Sequence, residues 1–217
     1  MRYPNLFHPF APGRRHFFQT AAASALAVAP LAGAGQPEPN VLGPLPGYSP
    51  QIGTLVSEML WMRRAVLGAA KGLAQNQLDF LLDSKANTIG ALLLHLAATE
   101  KLYQLNTFDR VSMHDLQKNS AFAQWDVPME LGQEARDQIK GHNLDYYLEI
   151  LHDTRERTLA EFRKRDDSWL MAVDQTWMWG PTNNLCKWFH VCEHESHHTG
   201  QISMLKSRLP GARPENG

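Results

Sequence analysis

Cysteine is nearly missing from this chain, with only Cys186 and Cys192 in 217 residues. The two lie six apart on what periodicity marks as one helix. Their side chains point about 120° apart there, so an intrahelical disulfide is sterically excluded and two packed thiols remain. Excess charge is missing too. A formal net charge of -1 carries no basic signature for nucleic acid. No stretch alternates with period two for long enough to form a convincing strand, and there is no internal repeat. What the chain does have is apolar surface. It is 43% hydrophobic with six Trp, enough for a substantial core, in a length that suits one domain plus an appendage.

Acidic residues are absent from the start of the chain. Up to Ala34 the only charged residues are Arg2, Arg14 and Arg15, and the first acid is Glu38. Phe17 to Leu31 is Ala-rich but too short and too weakly apolar to span a bilayer. Ala32-Gly33-Ala34 then offers the small residues that a signal peptidase reads. With Arg14-Arg15-His16-Phe17-Phe18, residues 1–34 resemble a twin-arginine export signal. The expected location is therefore outside the cytoplasmic membrane, with no membrane attachment once the signal is removed. An ordinary secretory signal or a retained anchor is the alternative. Beyond the segment lie 18 basic and 22 acidic residues.

The rest divides into a Pro-rich linker at 35–50, a helical domain at 51–210 and a tail at 211–217. Apolar residues recur at three and four from Gln51 to about Leu73 (Ile52, Leu55, Val56, Met59), predicting a first helix. Asn87 or Thr88 caps a second, running to about Asn106 and apolar almost all round, as a helix buried among others must be. Thr107 to His142 is polar and mixed, a long crossover with at most short helical pieces. A third helix runs from about Leu144 to Arg165 on a stripe containing Leu151, Leu159 and Phe162. Its charged run Asp153, Arg155, Glu156 and Arg157 reads as a solvated face. Asp166 to Pro181 reads as a Trp-rich loop that roofs a site or plugs the end of the domain. Thr182 or Asn183 caps a fourth helix ending by Pro210. The expected fold is all-α, a four-helix bundle with a long crossover between helices 2 and 3.

Histidines carry the chemistry. His194 and His198 are four apart, which puts their imidazoles on one helical face about 6 Å apart at Cβ. At about 100° per residue from His194, the apolar Leu205, Val191, Leu209 and Ile202 fall between about 20° and 80°. His198 falls inside that sector and Gln201 beside it, while His190 and His197 lie toward the rim. The only histidine of the second helix is His95, set in an apolar run and pointing away from Lys101 and Gln104. A lone buried histidine is more often a hydrogen-bonded core residue, but an inward pair on the opposing helix makes His95 a ligand candidate. Three histidines with an open fourth position form a catalytic rather than a structural metal set, with zinc the default and nickel, iron or manganese the alternatives.

These residues also resemble a known superfamily. Asn87-Thr88-Ile89-Gly90 before the helix of His95, and His194-Glu195-Ser196-His197-His198-Thr199-Gly200-Gln201-Ile202, are similar to the DinB-like metalloenzymes, and most to an uncharacterised branch of them. The resemblance runs from about Ile52 to Leu209. It implies a bundle in up-down-down-up order, often a homodimer, and a divalent metal on His95, His194 and His198. It also implies activities that include thiol-cofactor-dependent transfer and isomerisation.

The sequence offers two other metal-binding patterns. His194-Glu195-x-x-His198 matches the zincin protease motif, but no histidine follows His198 and the only downstream acid is Glu215. A di-iron bundle would use Glu149-x-x-His152, yet Glu149 falls opposite its helix's apolar stripe. Glu195 is retained as a candidate general base, or as a group bracing a ligand imidazole; its burial would require a partner. Tyr103 and Tyr147 lie on inward faces and, with Gln201, are candidates to line the pocket. The expected function is an exported enzyme of hydrolase or transferase class, using a three-histidine divalent metal on a small-molecule substrate. A non-catalytic metal- or ligand-binding protein is the alternative.

Overall fold

The computed structural model describes residues 40–116 and 118–212. The expected signal segment, the start of the linker and the end of the tail lie outside the described residues.

Four long helices form the fold: α1 (Pro50–Ala70), α2 (Ile89–Tyr103), α3 (Leu144–Phe162) and α4 (Asn184–Ser207). Their starts follow local chemistry. The Thr88, Asn143 and Asn183 side chains accept from Ala91 N, Tyr146 N and Cys186 N, occupying amides that a first turn leaves unpaired. α1 begins with Pro at its first position, and its cap comes from far away: Asp167 accepts from Ser49 Oγ and from the Gln51 and Ile52 amides.

Pairwise contacts fix the direction of each helix. Lys206 donates to Ala69 O, and Trp188 shares a core cluster with Ile52, so α4 runs parallel to α1. Gly90 lies against Tyr147, and Gln104 donates to Thr158 Oγ1, so α2 and α3 are parallel. His95 meets His194, and Tyr103 meets His190, so α2 and α4 are antiparallel. The order is up-down-down-up. A Cβ at Gly90 would come within 2.6 Å of Tyr147 Oη, so only glycine allows the close approach of α2 to α3. Every residue from Thr88 to Glu100 is buried, as the all-round apolar pattern of this helix predicts.

The crossover opens with a π-helical turn, Gln104–Phe108, where the sequence reading extends α2, and continues through short helices that include Met113–Leu116, Asp126–Glu130 and Gly132–Gln138. The expected loop at 166–181 also holds structure. It contains a helix, Asp167–Met171, and the strand Val173–Asp174, which pairs with Thr182–Asn183. The Lys187 ammonium fastens this hairpin to α4 by donating to Asp174 and to Asn106. Trp169 stacks on Phe108, and Trp177 packs on Tyr103, so these two plug the end of the bundle. No helix among the described residues is long and apolar enough to cross a membrane.

Two large apolar clusters fill the interior, one around Leu92, Tyr147 and Leu205, the other around Met59, Phe162 and Trp188. Between them each helix contributes one charged residue. Arg63, Glu100, Arg155 and Glu195 are only 7%, 0%, 3% and 1% exposed. Arg155 donates to both Glu100 oxygens and to Glu195 Oε1; Arg63 donates to Glu195 Oε1, to Glu100 Oε2 and to Leu151 O. The solvated face expected at 153–157 is corrected for Arg155. It sits four residues from both Leu151 and Leu159, on the apolar stripe itself. Asp153 and Glu156 are exposed, as the reading expects.

Candidate metal centre

α2 and α4 bring His95, His194 and His198 together. His194 Nε2 lies 2.9 Å from His95 Nε2 and 3.1 Å from His198 Nε2. One ligand atom from each of the three can be chosen so that all lie within 4.8 Å of one another. Ligand nitrogens around a tetrahedral ion with bonds of about 2.0–2.1 Å sit roughly 3.3 Å apart, so the cluster is close to that size.

Hydrogen bonds on the far side of the rings decide which nitrogens face inward. His95 Nδ1 is 2.9 Å from Pro128 O, a carbonyl that can only accept, so Nδ1 carries the proton and Nε2 presents its lone pair. His198 Nδ1 donates to Gln201 Oε1 at 2.7 Å, which leaves its Nε2 in the same state, while the Gln201 amide nitrogen donates to His197. Two lone pairs thus converge beside His194 Nε2, where one proton can satisfy only one of them at a time while a cation can accept all three nitrogens. The donor set fits a divalent metal.

Burial pushes the His194 pKa down to about 3, helped by the neighbouring His198, His95, His190 and His197 rings. Burial likewise brings His198 down to about 4 against the opposing hydrogen bond to Gln201, and lowers His95 against the Pro128 and Met129 backbone. At pH 7 these rings are neutral and need not lose a proton to bind. Zinc titrated into metal-free protein at pH 7 should therefore release at most about one proton per ion. Calorimetry in buffers of different ionisation enthalpy measures this, and release of two or more would contradict the assigned protonation.

The other candidate residues separate. His197 is exposed, and His190 is half-buried with its Nδ1 2.8 Å from the Tyr103 hydroxyl. Tyr103 thus reaches the centre's edge, where Trp179 also packs on His190. Tyr147 does not. Its ring lies against Gly90 and its hydroxyl is buried without a hydrogen-bond partner. Glu195 points into the charged layer. Its Oε1 is taken by two guanidinium groups, and its Oε2 is buried with no hydrogen-bond partner. The bracing role considered for it is filled by Pro128 O and Gln201 at His95 and His198. A second group, His190, Glu193 and His194, also offers ligand spacing, but on the more open side of α4. Glu149 and His152 are exposed, which removes a di-iron set, and the third histidine comes from α2 rather than from downstream as in a zincin. Sequence reasoning missed Pro128, because nothing local marks which crossover carbonyl will meet His95.

A family model described as mycothiol-S-transferase matches residues 54–211. The chain belongs to this family. It is a DinB-like family, and the matched span holds the three histidines, Gln201 and all four members of the charged layer. No curated protein matches the chain.

Proposed function

We propose that this protein is a metal-dependent S-transferase that joins a low-molecular-weight thiol, mycothiol or one of similar chemistry, to a small electrophile. The observation that carries the reading is the convergence of three neutral imidazoles in a member of a thiol-transferase family. His95, His194 and His198 would hold the ion, with zinc as the default for this donor set. A bound divalent ion supplies Lewis acidity, which lowers the pKa of a thiol beside it. The chain's own groups prepare the place. Pro128 O and Gln201 fix two tautomers, and the buried charged layer fixes α4 against the other three helices.

The test is zinc-loaded protein with mycothiol and a fluorogenic electrophile such as monochlorobimane, followed by chromatography of the thioether. Product above the uncatalysed rate, lost on chelation and restored by zinc, is the expected outcome. Metal retained with no thioether from mycothiol, glutathione or cysteine would instead support a binding protein.

The first segment supports a second element of the reading, export. The acid-free start, Arg14-Arg15 and Ala32-Gly33-Ala34 support a mature N-terminus near Gly35, and the thiol would then be met outside the cytoplasmic membrane. N-terminal sequencing of exported protein should begin near Gly35, and Arg14→Lys with Arg15→Lys should block export. An intact Met1 would overturn this, and unaffected export in the double variant would point to the general secretory route.

A further inference from the structure

A cavity of about 340 Å³ is lined by the loop 82–87 that precedes α2, by Leu92 of α2 and by α4. Leu92 and Leu205 are buried in its lining, while Leu82 and Met204 are exposed. One lining residue belongs to the metal centre. Gln201 borders the cavity, and its Oε1 accepts the proton of His198 Nδ1 at 2.7 Å.

The polar part of the lining is rich in donors. Asn87 Oδ1 accepts from the Gly132 amide, which leaves the Asn87 NH2 group without a partner among the described residues. Gln201 gives one N–H to His197, and its second has no partner among the described residues. Lys85 adds an ammonium. Asp83 is engaged by its own loop, since its Oδ1 accepts from the Lys85 and Ala86 amides. Arg136 donates to the carbonyls of the same two residues. None of these three charges is in an ion pair among the described residues. Two cations against one carboxylate leave the loop with one positive charge.

This lining defines the occupant. The volume falls at the low end of the roughly 300–1,000 Å³ of small-molecule sites, which suits one ring with a short chain. The leucines and the adaptable Met204 favour an apolar body, and the donors with the positive loop favour an anionic, acceptor-only head. A carboxylate that accepts the free N–H of Gln201 also polarises the amide and makes Oε1 a stronger acceptor. The bond from His198 Nδ1 then tightens, and His198 Nε2 becomes a better metal ligand.

We propose that this cavity binds a small apolar carboxylate, and that its occupancy tightens the metal through Gln201 and His198. The occupant touches Gln201 and not the ion, so nothing reacts in the cavity. The site goes beyond the transferase reading and needs only the three-histidine centre. By linkage, the metal tightens the carboxylate by the same factor.

The test separates binding from coupling. Zinc-loaded protein labelled with ¹³C-methyl methionine is titrated with 3-phenylpropanoate and with the neutral 3-phenylpropan-1-ol. The Met204 methyl signal, assigned by Met204→Leu, should move saturably with the carboxylate. The carboxylate should bind roughly three- to tenfold more tightly than the alcohol, since exposed charge contributes modestly. Lys85→Gln should remove most of that preference. In competition with a chelator, saturating carboxylate should tighten zinc binding by roughly two- to fivefold. Gln201→Ala should remove this effect while Met204 still reports binding.

Equal binding of the two probes, a preference unchanged in Lys85→Gln, or shifts confined to other methionines would overturn the site. Unchanged zinc affinity with Met204 shifted would keep the site and defeat the coupling. Tightening that survives in Gln201→Ala would place the carboxylate on the ion itself and defeat the coupling too. Thioether formation, present or absent, alters none of these readouts.

Discussion

Glu100→Ala should cost about 3–5 kcal/mol of folding free energy, the largest loss expected from any single change outside the metal centre. Glu100 is wholly buried and accepts from Arg155, Arg63 and Thr158 Oγ1. Burial alone pushes its carboxyl pKa up, but the Arg155 and Arg63 guanidinium groups and the hydrogen bonds outweigh this and hold it below the ordinary carboxylate range. A carboxyl lowered by folding adds stability above its unfolded value, and that stability is lost as pH falls through the folded one. Without Glu100, two guanidinium groups share the one carboxylate of Glu195, and a net positive charge is buried. Replacing Glu100 by Leu together with Arg155 by Met removes a charge of each sign and should recover most of the loss, because an apolar pair of similar volume is often neutral or better. Urea denaturation followed by circular dichroism measures both. A cost under about 1 kcal/mol for Glu100→Ala would show that water enters this layer.

Single alanine changes at His95, His194 and His198 should each weaken metal binding by more than about 10²-fold. Loss of a group that merely braces a ligand typically costs 10–100-fold, and here a ligand itself is removed. Gln201→Ala, which frees His198 Nδ1, should fall within that roughly 10–100-fold range. His197→Ala should keep its metal, since His197 is exposed and touches the centre only through Gln201 and the edge of the His198 ring. Metal content after competition with a chelator gives the ranking. If His95→Ala keeps its metal while His190→Ala and Glu193→Ala lose it, the ion belongs to the second group on α4 instead.

Part of this was legible because helical periodicity is local. A residue's angle on its own helix depends only on spacing, so the inward face of α4, with His198 buried and His197 exposed, follows from the positions of Val191, Ile202 and Leu205. The caps at Thr88 and Asn183 are equally local, since an Asx or Thr side chain needs only the next turn's amide. His95 was legible as well, being the one histidine in a helix with no polar face. Burial of Glu195 with a partner could be anticipated from its angle, but the partner could not.

That partner is Arg63, 132 residues away, with Arg155 beside it. An arginine four residues from leucines on both sides is a solvated charge or a buried one depending on what faces it. Only the packing of α3 against α1, α2 and α4 supplies the two carboxylates that make burial tolerable. The same holds at the metal centre. Sequence alone determined four helices, their inward faces and the three imidazoles. Tertiary structure decided that a crossover carbonyl at Pro128 orients His95, that Tyr103 reaches the centre while Tyr147 packs on Gly90, and that Glu195 faces the arginines. Each depends on which distant surfaces meet, and no local pattern of side chains encodes that.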